Sequence, residues 1–229
     1  ATAAAVDTYL QKAIVSFSSV RSLNSAEPLS STYLSILAAS ATTDASLSTP
    51  FLRAAFNSFN IYYDPLTYTS SYTTPAQLLH HLHRYITPNT RFLDLGSGLG
   101  HTCKTIRMSL DAKHDVSIIG VDISLNMILM AQYRYPNCYN ELMHRDAVEF
   151  MLEYAEYQFD IIYAADTFAY VYDLEAWFAA LVDLMQHKAL FAFNVDHTDV
   201  SDVFLQRTGR YAHSQEYIAQ LCDKYGFTV

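Results

Sequence analysis

The sequence predicts an α/β fold: a doubly wound, mostly parallel sheet preceded by an N-terminal helical segment. Three observations carry this. From Arg91 onward, continuous apolar blocks alternate with helix-length stretches, and strands that are apolar throughout are those covered on both faces. Three of the six glycines fall within 96-GSGLG-100, directly after the first such block. Finally, 51% of residues are hydrophobic and 16% charged, enough apolar surface for a substantial core.

Taken in order, residues 1–57 carry helical spacing at Tyr9, Leu10, Ala13 and Ile14 and again at Tyr33, Leu34, Ile36 and Leu37. Serine, threonine and proline punctuate them around 24–31 and 38–50. A loop crowded with tyrosines follows, 61-IYYDPLTYTSSYTTP-75, and Pro75 opens a helix through 76-AQLLHHLHRYI-86. Strands are expected at 91–95, 117–122, 142–146, 159–166 and 189–196. Helices are expected between and after them at 100–110, 124–134, 147–155, 174–186 and 214–225. The division is residues 1–75 as a helical segment with a tyrosine-rich lid, and residues 76–229 as the ligand-binding domain. Its ligands belong at the carboxyl ends of the strands.

The net charge of −9 offers no basic stripe for a nucleic-acid backbone. No apolar run reaches membrane-spanning length, and no targeting signal opens the chain, so a soluble, cytoplasmic protein is expected. Cys103, Cys138 and Cys222 are odd in number, with no C-x-x-C pair, and read as buried reduced thiols.

In 92-FLDLGSGLGHT-102, Gly96, Gly98 and Gly100 permit a tight turn and close approach of a ligand to a helix N-terminus. The spacing is G-x-G-x-G, one residue shorter than the dinucleotide fingerprint. Asp94 stands two residues before the first glycine, where a pyrophosphate would be repelled and a cationic ligand attracted. S-adenosylmethionine, with its ammonium and sulfonium, fits that charge better than a nicotinamide dinucleotide. Asp122, closing the second block, is placed to accept from both ribose hydroxyls. Ile123 or Met127 would pack on an adenine face, with helix core as the other reading of Met127. Asp146 would accept from an adenine amino group beside the Ala147 amide, or cap the helix beginning at Ala147. Both roles are compatible.

With these pieces the chain resembles the class I S-adenosylmethionine-dependent methyltransferases, through 94-DLGSGLG-100, 120-GVDIS-124, 146-DAVEF-150 and 160-DIIYAADTFAYV-171. Within them it is similar to predicted bacterial methyltransferases of the tetratricopeptide-associated type, through 56-FNSFNIYYDPL-66 and 209-GRYAHS-214. The resemblance implies a Rossmann-like methyltransferase fold and S-adenosyl-L-methionine as cofactor. It implies that Asp94, Gly96, Gly98, Asp122, Asp146 and Ala147 line the cofactor site, with Ser97 tolerated inside the loop. The N-terminal region shows no tetratricopeptide signature. The antiparallel hairpin that normally finishes the family's sheet would lie beyond 226-GFTV-229.

Methyl transfer from a sulfonium is an in-line displacement, which needs alignment more than a dedicated nucleophile. The acceptor side is expected from the tyrosine segment, the residues after Asp166, and 209–214. Tyr62, Tyr63, Tyr68 and Tyr72 would form a lid, or pack as ordinary aromatic core, and Tyr170 would face the acceptor. His213 is the candidate general base and Arg210 the group that orients an anionic acceptor, with Asp166 beside the reacting centre. The other reading of His213 is a surface residue before a helix capped by Ser214. His197 is a second candidate base. The cluster 80-HHLH-83 reads as a solvated helix face, and no metal site is expected.

The reading is a methyltransferase acting on a small molecule. The alternatives are a protein-directed enzyme, a catalytically silent S-adenosylmethionine-binding regulator and an NAD-dependent oxidoreductase. An incomplete sheet edge would invite homodimer formation.

Overall fold

The computed structural model describes residues 52–53, 55–57, 72–110, 115–206 and 210–229. Of the helical segment expected over 1–57, residues 52–53 and 55–57 are described and are helical, while the rest and the tyrosines Tyr62, Tyr63 and Tyr68 lie outside the described residues.

A helix, α1 (Thr74–Leu82), carries Pro75 in its first turn and runs into a 3-10 turn at His83–Tyr85. Strands and helices then alternate: β1 (Arg91–Leu95), α2 (His101–Ser109), β2 (Ser117–Asp122), α3 (Leu125–Arg134), β3 (Glu141–His144), α4 (Ala147–Glu153) and β4 (Phe159–Ala164). After a 3-10 turn at Phe168–Tyr170 come α5 (Glu175–Leu184) and β5 (Met185–Phe193). The five strands form one parallel sheet in the order β3-β2-β1-β4-β5. The order reverses between β1 and β4, which opens a crevice at the carboxyl ends of those strands.

Strand pleating divides the core between the two faces. Phe92, Ile118, Ile161 and Tyr163 meet α1 and α2 through Leu79, Leu82, Cys103 and Ile106. Leu93, Leu95, Ile119, Val121 and Ile162 meet α4 and α5 through Phe150, Met151, Leu181 and Leu184. Capping fixes where the helices start. The Ser124 hydroxyl accepts from Met127 N, the Asp146 carboxylate from Val148 N and Glu149 N, and the Ser214 hydroxyl from Tyr217 N.

The last strand starts four residues earlier than the sequence predicts, because α5 passes into β5 without a loop. A second sheet was not anticipated. It comprises β6 (Asp196–His197), β7 (Val203–Leu205) and β8 (Tyr211–His213), in the order β6-β8-β7, followed by α6 (Gln215–Tyr225). Strands of two or three residues are too short to show a period.

The cysteine expectation is corrected. Cys103 and Cys138 form a disulfide, with Cα atoms 6.0 Å apart, while Cys222 is free and buried. Helix α2 and the turn leading into β3 pack on the same face of β2, and this brings together two residues 35 apart in sequence. Among the described residues, no helix is long and apolar enough to cross a membrane.

Candidate functional site

A cavity of about 470 Å³ lies at the reversal of strand order. Its floor is the loop after β1. Gly96 N and Ser97 N both donate to Val121 O, at 2.8 and 3.0 Å, folding the loop across the end of β2. Gly96 has φ +74°, and a Cβ there would sit 2.4 Å from Thr167 Oγ1. That hydroxyl is itself fixed by donating to Leu95 O at 2.8 Å. Gly98 (φ +51°) differs, since the nearest atom to a Cβ would be 3.9 Å away, so the space above it belongs to the cavity. Ser97 is 4% exposed and lines the cavity, and its hydroxyl has no hydrogen-bond partner among the described residues. A buried donor left unpaired is costly unless a ligand completes it.

Asp122 stands at the end of β2 with each oxygen engaged by backbone, Oδ2 by Gly98 N and Oδ1 by Ser124 N, both at 2.8 Å. These bonds aim the carboxylate at the cavity. Burial nevertheless raises its pKa to about 6, against the lowering effect of those same bonds. Across the cavity, the Asp146 Oδ1 serves the α4 cap through Val148 N at 2.9 Å. Asp146, Ala147, Ile123 and Met127 all line the wall, so the capping reading of Asp146 holds while the residue also faces the cavity.

Asp94 does not line the cavity. It shares the pleat of Phe92 and therefore points into the layer beneath α2, where it is 1% exposed. Tyr139 reaches over Gly120 and donates its hydroxyl to Asp94 Oδ2 at 2.7 Å, while Oδ1 has no hydrogen-bond partner among the described residues. Burial, reinforced by the nearby Asp122 charge, lifts the Asp94 pKa to about 7. Asp94 thus sits below the site as a supporting group.

The remaining wall combines the chain's early residues with the exit of β4. Leu52, Phe56, Tyr72, Asp166, Tyr170 and Asp173 contribute to it. Asp166 has φ +56°, held by a reciprocal clamp with Asn194: Asp166 N donates to Asn194 Oδ1 at 2.7 Å, and Asn194 Nδ2 to Asp166 Oδ1 at 2.8 Å. Phe56 meets the Tyr170 ring edge-to-face at 4.8 Å. Asn57 accepts from Ser124 Oγ at 2.7 Å and Asn126 Nδ2 at 2.8 Å, which anchors this early segment to the β2–α3 junction.

Two predicted catalytic residues are placed elsewhere. His213 is 0% exposed in β8, away from the cavity, with Nε2 against Val171 O at 3.0 Å, and burial lowers its pKa. It is neither the surface residue nor the accessible base of the two sequence readings. Arg210 does not reach the cavity wall either. It grips Asp196 through Nε and Nη2, both at 2.9 Å, and lies 3.7 Å from Asp166 Oδ1. A guanidinium committed to one carboxylate in this bidentate way is not free to orient an anionic acceptor. His197 is exposed and bonded to Asp199. His80, His81 and His83 are exposed.

Comparisons with known proteins bear on this geometry. Residues 93–191 match a family model described as "Methyltransferase domain". The match begins at β1 and ends inside β5, so it contains the glycine loop, Asp122, Asp146 and Asp166. No curated protein matches the chain. Among solved structures, magnesium protoporphyrin IX methyltransferase from Synechocystis PCC 6803 with bound SAH aligns at TM-score 0.61 and 15% identity, over 79% of this chain and 89% of that one. The [4+2]-cyclase SpnF aligns at TM-score 0.64 and 14% identity, over 80% and 74%. Phosphoethanolamine N-methyltransferase 2 from Haemonchus contortus, in complex with S-adenosyl-L-methionine, aligns at TM-score 0.59 and 19% identity, over 80% and 45%. At these identities the likeness shows the Rossmann-like fold alone, and a cyclase among the neighbours shows that the fold does not dictate the reaction.

Several wall and support residues escaped sequence reasoning. Asn194 follows an apolar strand at its carboxyl end, a position that should have been read as site-facing. Asn57 and Tyr139 act through contacts spanning 67 and 45 residues, for which no local signal exists.

Proposed function

We propose that the chain binds S-adenosyl-L-methionine and directs methyl transfer to a small-molecule acceptor by in-line displacement. The observation that carries this is the convergence on one cavity of the Gly96–Gly98 turn, the doubly anchored Asp122 carboxylate and the Asp146–Ala147 helix start. The unpartnered Ser97 hydroxyl and the open space over Gly98 fit a ligand lying against that loop. Asp122 would accept from ribose hydroxyls, Asp146 and the Ala147 amide would meet adenine, and Ile123 and Met127 would flank its faces. When bound, the cofactor supplies an electrophilic methyl group on a sulfonium.

The chain's own residues do the rest. Asp122, Asp146, Asp166 and Asp173 line the cavity against one guanidinium, Arg145, so its field favours a positively charged occupant. Phe56, Tyr72 and Tyr170 line the acceptor side with aromatic surface. Asp166, held by Asn194, is the residue nearest in character to a catalytic group. The finer resemblance to tetratricopeptide-associated bacterial methyltransferases rests on the motifs quoted above. A protein-directed acceptor is the second reading, and dimer formation along the open edge of β5 accompanies the proposal, to be read by light scattering.

Calorimetry tests the function. S-adenosylmethionine and S-adenosylhomocysteine are expected to bind and NADH not. Asp122→Ala is expected to weaken binding by about 10- to 100-fold, the loss of hydrogen bonds to a charged acceptor. Binding of NADH alone would overturn the reading, and so would binding of neither nucleoside.

A further inference from the structure

Resting on that reading, we infer that the acceptor is an amine, methylated on nitrogen, and that Asp166 and Asp173 with the rings of Phe56, Tyr72 and Tyr170 form its subsite. Four observations lead there. Among the described residues, the acceptor half of the wall carries two carboxylates and no lysine or arginine, with His101 packed against the Tyr72 ring at 5.8 Å. Arg210, the nearest guanidinium, is shared between the bidentate Asp196 and Asp166, 3.7 Å away, so one cation faces two carboxylates there and the group, with Asp173 added, stays net negative. Among the described residues, Asp173 receives only neutral donors, the Tyr217 hydroxyl at 3.0 Å and Glu175 N at 2.9 Å. The Tyr170 ring already hosts a cation on one side, with the Arg210 guanidinium carbon 5.4 Å from its centroid.

The chemistry agrees with the walls. The nitrogen lone pair forms the new N–C bond while the C–S bond breaks with its electrons going to sulfur, leaving a neutral thioether. Positive charge thereby moves onto the acceptor nitrogen. A primary or secondary amine enters after losing its ammonium proton to water and afterwards releases a second proton from the methylated nitrogen. A tertiary amine has none to release. Carboxylates and ring faces fixed around that nitrogen stabilise charge as it arrives, without reorganising. A carboxylate or phosphate acceptor would face net repulsion from the same wall, which Arg210 offsets only in part.

Trp177 is the chain's single tryptophan and lines the cavity, so its emission reports occupancy directly. The experiment titrates benzylamine, benzyl alcohol and benzoate, each with and without S-adenosylhomocysteine, with calorimetry as the second readout. Benzylamine is expected to bind about tenfold tighter than the alcohol, and benzoate more weakly than either. Asp173→Asn and Asp166→Asn are each expected to reduce the amine preference about threefold while leaving the alcohol unchanged. Asparagine tolerates the positive φ at position 166, and Asp173 is exposed, so neither change threatens the fold. Benzoate binding as tightly as benzylamine, an amine preference intact in the double variant, or no benzylamine binding at millimolar concentration each overturns the inference. S-adenosylhomocysteine binding alongside any of those results leaves the proposed function standing. Amine selectivity without S-adenosylhomocysteine binding removes the function and keeps the subsite.

Discussion

At the scale of single residues, Gly96 and Gly98 share a loop and a backbone sign but not a job. A Cβ at Gly96 collides with Thr167 Oγ1 at 2.4 Å, whereas one at Gly98 meets only open cavity. Gly96→Ala is therefore expected to cost about 2 kcal/mol of stability, from strain plus displacement of Thr167. Gly98→Ala is expected to cost about 1 kcal/mol from its φ alone, yet to abolish nucleoside binding because the methyl occupies ligand space. Chemical denaturation and calorimetry on the two variants separate these outcomes. The glycines, Asp122 and Asp146 were legible in the sequence because a turn, a strand end and a helix cap are local events. The pleat assignment of Asp94 is equally local, since it shares the side of Phe92, but an acid beside a glycine loop invited the wrong side. His213 was misplaced because β8 is three residues long, too brief to reveal that it is buried.

At the scale of elements, the five sheet strands and the helices between them were readable, since apolar runs and caps repeat in register with the fold. The Cys103–Cys138 bridge was not. It ties α2, whose N-terminus carries the glycine loop, to the turn before β3. Closing a loop of this length contributes roughly 4 kcal/mol in the chain-entropy account. Reductant is therefore expected to lower the melting temperature by several degrees. Thiol titration of the unfolded chain should give one reactive cysteine, Cys222, before reduction and three after. A melting temperature indifferent to reductant would show that the bridge contributes nothing.

At the scale of the whole molecule, two buried acids set the response to pH. Asp94 and Asp122 have pKa values raised from 3.8 to about 7 and about 6 by burial. Each is protonated more readily folded than unfolded, so the folded chain binds more protons between those limits. Their contribution to stability is fully present below pH 3.8 and is lost as pH rises through 6 and 7. Melting of the ligand-free protein should accordingly weaken across that window. Asp94→Asn keeps an acceptor for Tyr139 without the charge, and is expected to flatten the profile and raise stability at pH 8 by roughly 1–3 kcal/mol. An unchanged profile in that variant would place the titration elsewhere.

Asn57 holds the early segment to the β2–α3 junction, and Phe56 leans on Tyr170 across the cavity. The consequence is one of timing. Weakening those hydrogen bonds with Asn57→Ala is therefore expected to speed the release of an occupant beneath Leu52 and Phe56, read by stopped-flow Trp177 emission. Each bond contributes about 1 kcal/mol, so the residence time of an occupant is tuned at Ser124, the same residue whose N–H holds Asp122.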